Sequence, residues 1–141
     1  MSPAGNQMPE PEGDRQPIIL VVEDDVLLRL STADQLRDGG FHVIEAASGD
    51  EARAVLEAGV EADIVFSDVN MPGVLDGVGL AQWLAEHRAD VPVVIASGLQ
   101  DVLRSAQTSC PHVKAFVLKP YDVDALIKRF GAILALRAKH S

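Results

Sequence analysis

Residues 18–25 read IILVVEDD, five consecutive apolar residues from Ile18 to Val22 followed by three carboxylates, Glu23, Asp24 and Asp25. A strand with one wet face alternates apolar and polar side chains. This run does not alternate and is rich in Val and Ile, which is the pattern of a strand buried on both faces of a parallel sheet. Four further runs follow at regular intervals, Phe41 to Ala46, Ile64 to Phe66, Val93 to Ala96 and Ala115 to Leu118.

Helical spacing fills the gaps. Val26, Leu30 and Ala33 share one face, flanked by Leu27 and Leu36, before a stop at Gly39-Gly40. Ser48 and Glu51 are spaced as a capping box, opening a helix with Ala52, Val55 and Leu56 inward and Gly59 as its end. Leu80, Trp83, Leu84 and His87 fall at i, i+3, i+4 and i+7. Asp101 to Gln107 reads as a shorter, less apolar helix. Val123, Leu126, Ile127, Phe130, Ile133 and Leu134 form the widest stripe, on a last helix that Asp122 can cap. Strands alternating with helices predict an α/β fold, a (βα)5 doubly wound five-stranded parallel sheet with right-handed crossovers.

In such a sheet the C-terminal ends of all strands meet at one edge, where ligands bind. The residues that follow the runs are therefore neighbours: Glu23-Asp24-Asp25, Ser67-Asp68, Ser97-Gly98 and Lys119-Pro120. The second run ends in Ala47-Ser48, as an edge strand far from a site would. Carboxylates gathered at one edge repel one another by about 1–4 kcal/mol per pair 4 Å apart, depending on screening, and a cation relieves that. Oxygen ligands with open positions suit magnesium, which leaves room for a phosphate oxygen. Lys119 adds a positive charge and Ser97 a hydroxyl, both partners for phosphoryl oxygens, and an Asp carboxylate can be the nucleophile that forms an acyl phosphate. Singly, each residue has an ordinary reading as a turn, cap or solvated helix start. Four coincident strand ends with compatible chemistry do not.

The strings ILVVEDD (19–25), FSDVNMPG (66–73), VVIASG (93–98) and FVLKPYD (116–122) closely resemble, in order, the four signature blocks of response-regulator receiver domains. The resemblance implies a flavodoxin-like strand order 2-1-3-4-5 and a phosphoryl-accepting signalling module. It implies Asp68 as phosphoacceptor, Asp24 as direct ligand of Mg2+, Glu23 acting through water, and Asn70 lending its backbone carbonyl. Ser97 corresponds to the switch hydroxyl, Lys119 to the phosphate-contacting lysine and Phe116 to the switch aromatic, and the Lys119–Pro120 peptide is implied to be cis. Asp25 falls outside the usual acidic pair and reads as a helix-start residue favoured by the dipole. The implied donor is a sensor histidine kinase or a histidine phosphotransfer protein. The resemblance also allows a downstream protein, or a homodimer, at the fourth helix, fifth strand and fifth helix. Two departures stand out. The loop MPGVLDG (71–77) is one residue longer than the common spacing, and Phe116 lacks the hydroxyl of the frequent tyrosine.

Bulk properties agree. At 141 residues and 48% hydrophobic, the chain suits one domain with a core. Its formal charge of −9 argues against nucleic acid, whose phosphates need clustered Lys and Arg. The lone Cys110 can form neither an internal disulfide nor a zinc pair, and reads as a small, partly buried apolar residue. No apolar run reaches membrane-spanning length and no signal peptide opens the chain, so a cytoplasmic protein is expected. Residues 1–16 hold three prolines and two glycines without apolar periodicity. They read as a flexible tail, leaving 17–141 as the folded domain. An initiating Met and this tail argue for a complete gene product over a piece of a larger kinase, and with no second domain after the last helix no output domain is expected.

Three alternatives share parts of this pattern. A flavodoxin-type cofactor module needs free backbone N–H groups after the first strand, where Glu23-Asp24-Asp25 would repel a phosphate. An aspartate-nucleophile phosphatase would carry a paired-aspartate motif on its first strand and a cap domain; it would turn over a phosphoester, whereas a receiver modifies itself stoichiometrically and is no enzyme in that sense. A pseudo-receiver would lack part of the set Glu23, Asp24, Asp68, Ser97 and Lys119.

Overall fold

The computed structural model describes residues 15–71, 73 and 75–139. Most of the expected N-terminal tail lies outside the described residues, as do Pro72 and Val74 of the long loop. The elements alternate strictly: β1 (Ile18–Val22), α1 (Val26–Asp38), β2 (His42–Ala46), α2 (Gly49–Glu57), β3 (Ile64–Asp68), α3 (Gly77–His87), β4 (Val93–Ser97), α4 (Gln100–Ser109), β5 (Ala115–Leu118) and α5 (Val123–Lys139). All strand pairs are parallel, in the order β2-β1-β3-β4-β5.

The absence of alternation in β1 has a direct structural cause. Leu20 and Val22 face a core layer formed with Ala52 and Leu56 of α2, Leu80 and Leu84 of α3, and Leu103 of α4. Ile19 and Val21 face the opposite layer, with Ala33 and Leu36 of α1 and Leu126 and Phe130 of α5. Both faces of the sheet are thus removed from water, the dominant favourable term in such a fold. Cys110 is buried in the first layer, as its small apolar character predicts. Among the described residues no helix is long and apolar enough to cross a membrane.

Helix ends follow the local sequence. Asp25 caps α1 by accepting from the Leu28 N–H at 3.0 Å. Ser48 accepts from the Glu51 N–H, while the Glu51 carboxylate reaches back to the Ala47 N–H. Asp122 accepts from the Asp124 N–H at the start of α5.

Two expected faces differ. Val26, Leu27 and Leu30 are exposed, Leu27 to 79%, whereas Ala33 and Leu36 are buried as expected, together with the polar Thr32. The apolar residues of this helix spread around more than one side, so spacing alone placed the C-terminal part of the face correctly and the N-terminal part in solvent. His87 is also exposed; its imidazole stacks on the Trp83 ring at 4.8 Å instead of entering the core.

The edge strand β2 is shielded by charge. Arg37 donates to the Val43 carbonyl at 3.2 Å and to Glu45 Oε2 at 3.1 Å, and Arg29 donates to Glu45 Oε1 at 3.3 Å.

Candidate functional site

The strand order reverses between β1 and β3, so the C-terminal ends of these two neighbours open a crevice at the sheet edge. Glu23 and Asp24 leave β1 there, and Asp68 is the last residue of β3. Glu23 is only 5% exposed. Its backbone N–H donates to the Ala46 carbonyl, its own carbonyl accepts from Arg29, and its carboxylate accepts from the Asp25 N–H. The Asp25 cap turns the chain at once into α1, which leaves Asp24 exposed at the rim. Carboxylate oxygens of Glu23, Asp24 and Asp68 all lie within 4.8 Å of one another.

Lys119, just beyond β5, reaches into this group. Its Nζ donates to Glu23 Oε1 at 2.6 Å and lies 3.3 Å from Asp68 Oδ2. Burial pushes the Glu23 and Asp68 carboxyls above their ordinary range, and the Lys119 ammonium offsets part of that rise. Burial alone would lower the Lys119 pKa. Its hydrogen bond to Glu23 and its attraction to Asp68 outweigh burial, so the net shift is upward and the amine stays charged.

Ser97 ends β4 one position beyond Ala96, the registered partner of Asp68. It is buried, and its Oγ accepts from the Leu99 N–H at 3.1 Å. Phe116 is half-buried on β5, packed against the layer that holds Leu103. With Leu118, Tyr121 and Leu126 it lines a cavity of about 290 Å3. Asn70 is exposed two residues after Asp68. Pro120 is exposed, and the Lys119–Pro120 peptide is cis. The fold therefore brings Glu23, Asp24, Asp68 and Lys119 into one charged cluster, with Ser97 on the adjoining strand.

Several supporting residues escaped the sequence reading. The long loop is docked on the start of α2, where Asp50 accepts from the Leu75 N–H at 3.3 Å. Gly49 approaches the Leu75 carbonyl so closely that any side chain would collide with it. Gly77 likewise abuts the Asp68 carbonyl, so a Cβ there would displace the end of β3. The glycines were visible in sequence, but their close approaches join distant segments. Arg29, which holds the Glu23 backbone, carried no signal at all.

The donor set is hard: three carboxylates and nearby backbone oxygens, with no thiolate or imidazole in the cluster as described. Such a set fits a divalent cation of the magnesium or calcium class rather than a soft metal.

Comparison with known proteins agrees with this geometry. The family model of the response regulator receiver domain matches residues 19–131. The chain is 33% identical over 112 residues to the C4-dicarboxylate transport transcriptional regulatory protein DctD of Rhizobium meliloti, covering 79% of this chain and 24% of that protein. It is 32% identical over 130 residues to the transcriptional regulatory protein PdtaR of Mycobacterium tuberculosis, covering 86% of this chain and 62% of the relative. The chain thus spans a quarter to less than two thirds of these relatives. Among solved structures, it superimposes with a TM-score of 0.75 on the response regulator protein TrrA of Thermotoga maritima in complex with Mg2+-BeF. That pair is 25% identical, covering 83% of this chain and 98% of the other.

Proposed function

The chain belongs to the response regulator receiver family, and from that premise we propose that Asp68 accepts a phosphoryl group from a sensor histidine kinase or histidine phosphotransfer protein. The observation that carries this reading is the Lys119 ammonium held between the buried Glu23 and Asp68, at the rim marked by Asp24. The folded domain is assigned to residues 17–141, with residues 1–16 as a tail. One phosphoryl group is taken per chain, so the protein is a signalling acceptor and not a phosphatase acting on a separate substrate.

An Asp68 carboxylate oxygen attacks the donor phosphorus. The O–P bond forms as the bond from phosphorus to the donor histidine nitrogen breaks, and that nitrogen retains the electron pair and takes a proton. In this reading Lys119 and Ser97 meet the phosphoryl oxygens as charge develops on them. Glu23, Asp24, Asp68 and the Asn70 carbonyl would hold Mg2+, which supplies charge neutralisation at the transferred group when bound. The Thermotoga relative's complex with Mg2+-BeF supports that choice of cation.

The reading extends to output. Rotation of the Ser97 side chain toward the phosphoryl group would release the Leu99 N–H from which its hydroxyl now accepts. Leu99 and Leu118 are exposed, and Phe116 precedes Leu118 by two residues on β5, where Leu118 is registered with Ser97 and Phe116 with Ile95. We assign the face of α4, β5 and α5 to a downstream protein or a second copy of the chain.

Incubation with acetyl phosphate and Mg2+ tests the reading. The parent should take up one acid-labile phosphoryl group, and Asp68→Asn should take up none. Undiminished labelling of that variant would rule Asp68 out.

A further inference from the structure

Among the described residues, four polar or charged side chains are buried: Glu23, Thr32, Ser67 and Ser97. Glu23 and Ser97 belong to the site, and the Ser67 hydroxyl donates to the Asp68 carbonyl. Thr32 stands apart, in the middle of α1 and 1% exposed. Its hydroxyl is hydrogen-bonded to the Tyr121 hydroxyl at 2.8 Å. A buried hydroxyl costs free energy unless it is paired, so each group fixes where the other must be.

Tyr121 has a second contact. Its ring meets Phe66 edge to face at 5.3 Å, and Phe66 precedes Asp68 by two residues on β3. Tyr121 itself follows Lys119 by two residues in the short link between β5 and α5. The other end of that link is also held, because the Lys119 N–H donates to the Ser97 carbonyl at 2.8 Å. Lys119 therefore leaves a backbone pinned to β4 before it and to α1 and β3 just after it. A lysine side chain is long and flexible, so the root of the chain decides which carboxylates the ammonium can reach.

A phenylalanine at position 121 would supply the same ring packing without burying a hydroxyl. The hydroxyl adds a specific tie to α1, the helix whose start forms the rim of the acidic cluster. We propose that Tyr121, acting through Thr32, is a positioning residue that holds Lys119 in register with Asp68 and so sets the rate of phosphoryl transfer. This proposal rests on the reading of Asp68 as phosphoacceptor.

The two roles of a buried pair, structural and positional, separate in a double variant. Replacing one partner strands the other hydroxyl, whereas replacing both with apolar groups of similar shape can leave stability nearly unchanged. The full chain is labelled with acetyl phosphate and Mg2+, and its urea unfolding is measured in parallel. Tyr121→Phe and Thr32→Val are each expected to slow labelling roughly tenfold, since small misplacements of a catalytic group carry large rate penalties. The double variant should be no slower than either single one, and its unfolding midpoint should return to that of the parent. Labelling of Tyr121→Phe at the parent rate overturns the proposal, as does recovery of the parent rate along with stability in the double variant. A parent chain that takes up no label would instead remove the Asp68 reading beneath it.

Discussion

Lys119 donates to Glu23 at 2.6 Å across 96 residues of sequence, a closer contact than the 3.3 Å it makes with Asp68. The ammonium is thus the counter-charge of a nearly inaccessible carboxylate as well as a neighbour of the acceptor. Lys119→Met should destabilise the fold by about 2–3 kcal/mol, somewhat less than breaking a fully buried pair, because the lysine retains some solvent contact. Magnesium should bind that variant more tightly, since a competing positive charge is gone. Stability and cation affinity then move in opposite directions, which urea unfolding and a magnesium titration measure together. Weaker magnesium binding by the variant would show that Lys119 does not compete with the cation.

Magnesium should bind the parent weakly alone and more tightly with beryllium fluoride, because a few carboxylates and waters hold it until an anion completes the shell. Asp24→Ala should remove both effects in calorimetry. An unchanged titration would transfer the ligand role to another group.

Tyr121 is the single tyrosine of the chain, so its phenolate absorbance reports one group. Burial raises its pKa, and the Thr32 hydroxyl holds it partly back. The folded chain should titrate above the ordinary phenol value of about 10. Because the folded state keeps this proton longer than the unfolded chain, the contribution to stability is complete below the ordinary value. It is lost as pH rises through the folded one. Thr32→Val should move the titration higher still, and a downward shift would contradict the 2.8 Å hydrogen bond.

Leu99 accepts the consequence of any movement of Ser97, because its N–H bonds the Ser97 hydroxyl. A phosphoryl mimic should shift backbone resonances from Leu99 to Leu103 and at Phe116, since packed elements respond in discrete steps. Changes confined to the loops around Asp68 would leave Phe116 a plain packing residue.

A protein donor must cover the crevice, and α1 presents Val26, Leu27 and Leu30 to solvent beside it. Exposed apolar clusters of this kind mark contact surfaces. Leu27→Glu should lower phosphotransfer from a cognate kinase by roughly tenfold or more, the scale of one interface anchor. Labelling by acetyl phosphate should stay at the parent level. Equal losses with both donors would place the effect in the fold instead.

Runs of apolar residues exposed the strands because both sheet faces are buried, and the acidic and basic residues at their ends gathered where an open parallel sheet must gather them. Helix α1 was legible in extent but only partly in orientation: Ala33 and Leu36 are buried as expected, but so is the polar Thr32, whose partner lies 89 residues away. The same distance effect hid Asp50 beneath the long loop and Arg29 behind Glu23. Periodicity reports neighbours along a chain, while the supports of this site are neighbours across it.

The guanidinium of Arg37, bonded to the Val43 carbonyl and to Glu45, has a consequence for crowded solutions. An outermost strand with free backbone groups is a template on which another chain can add its own strand, the first step toward fibrils. Here an arriving strand would have to strip an arginine from that carbonyl and face the charges of Glu45 and Arg29. Open-ended strand addition at β2 is thereby disfavoured.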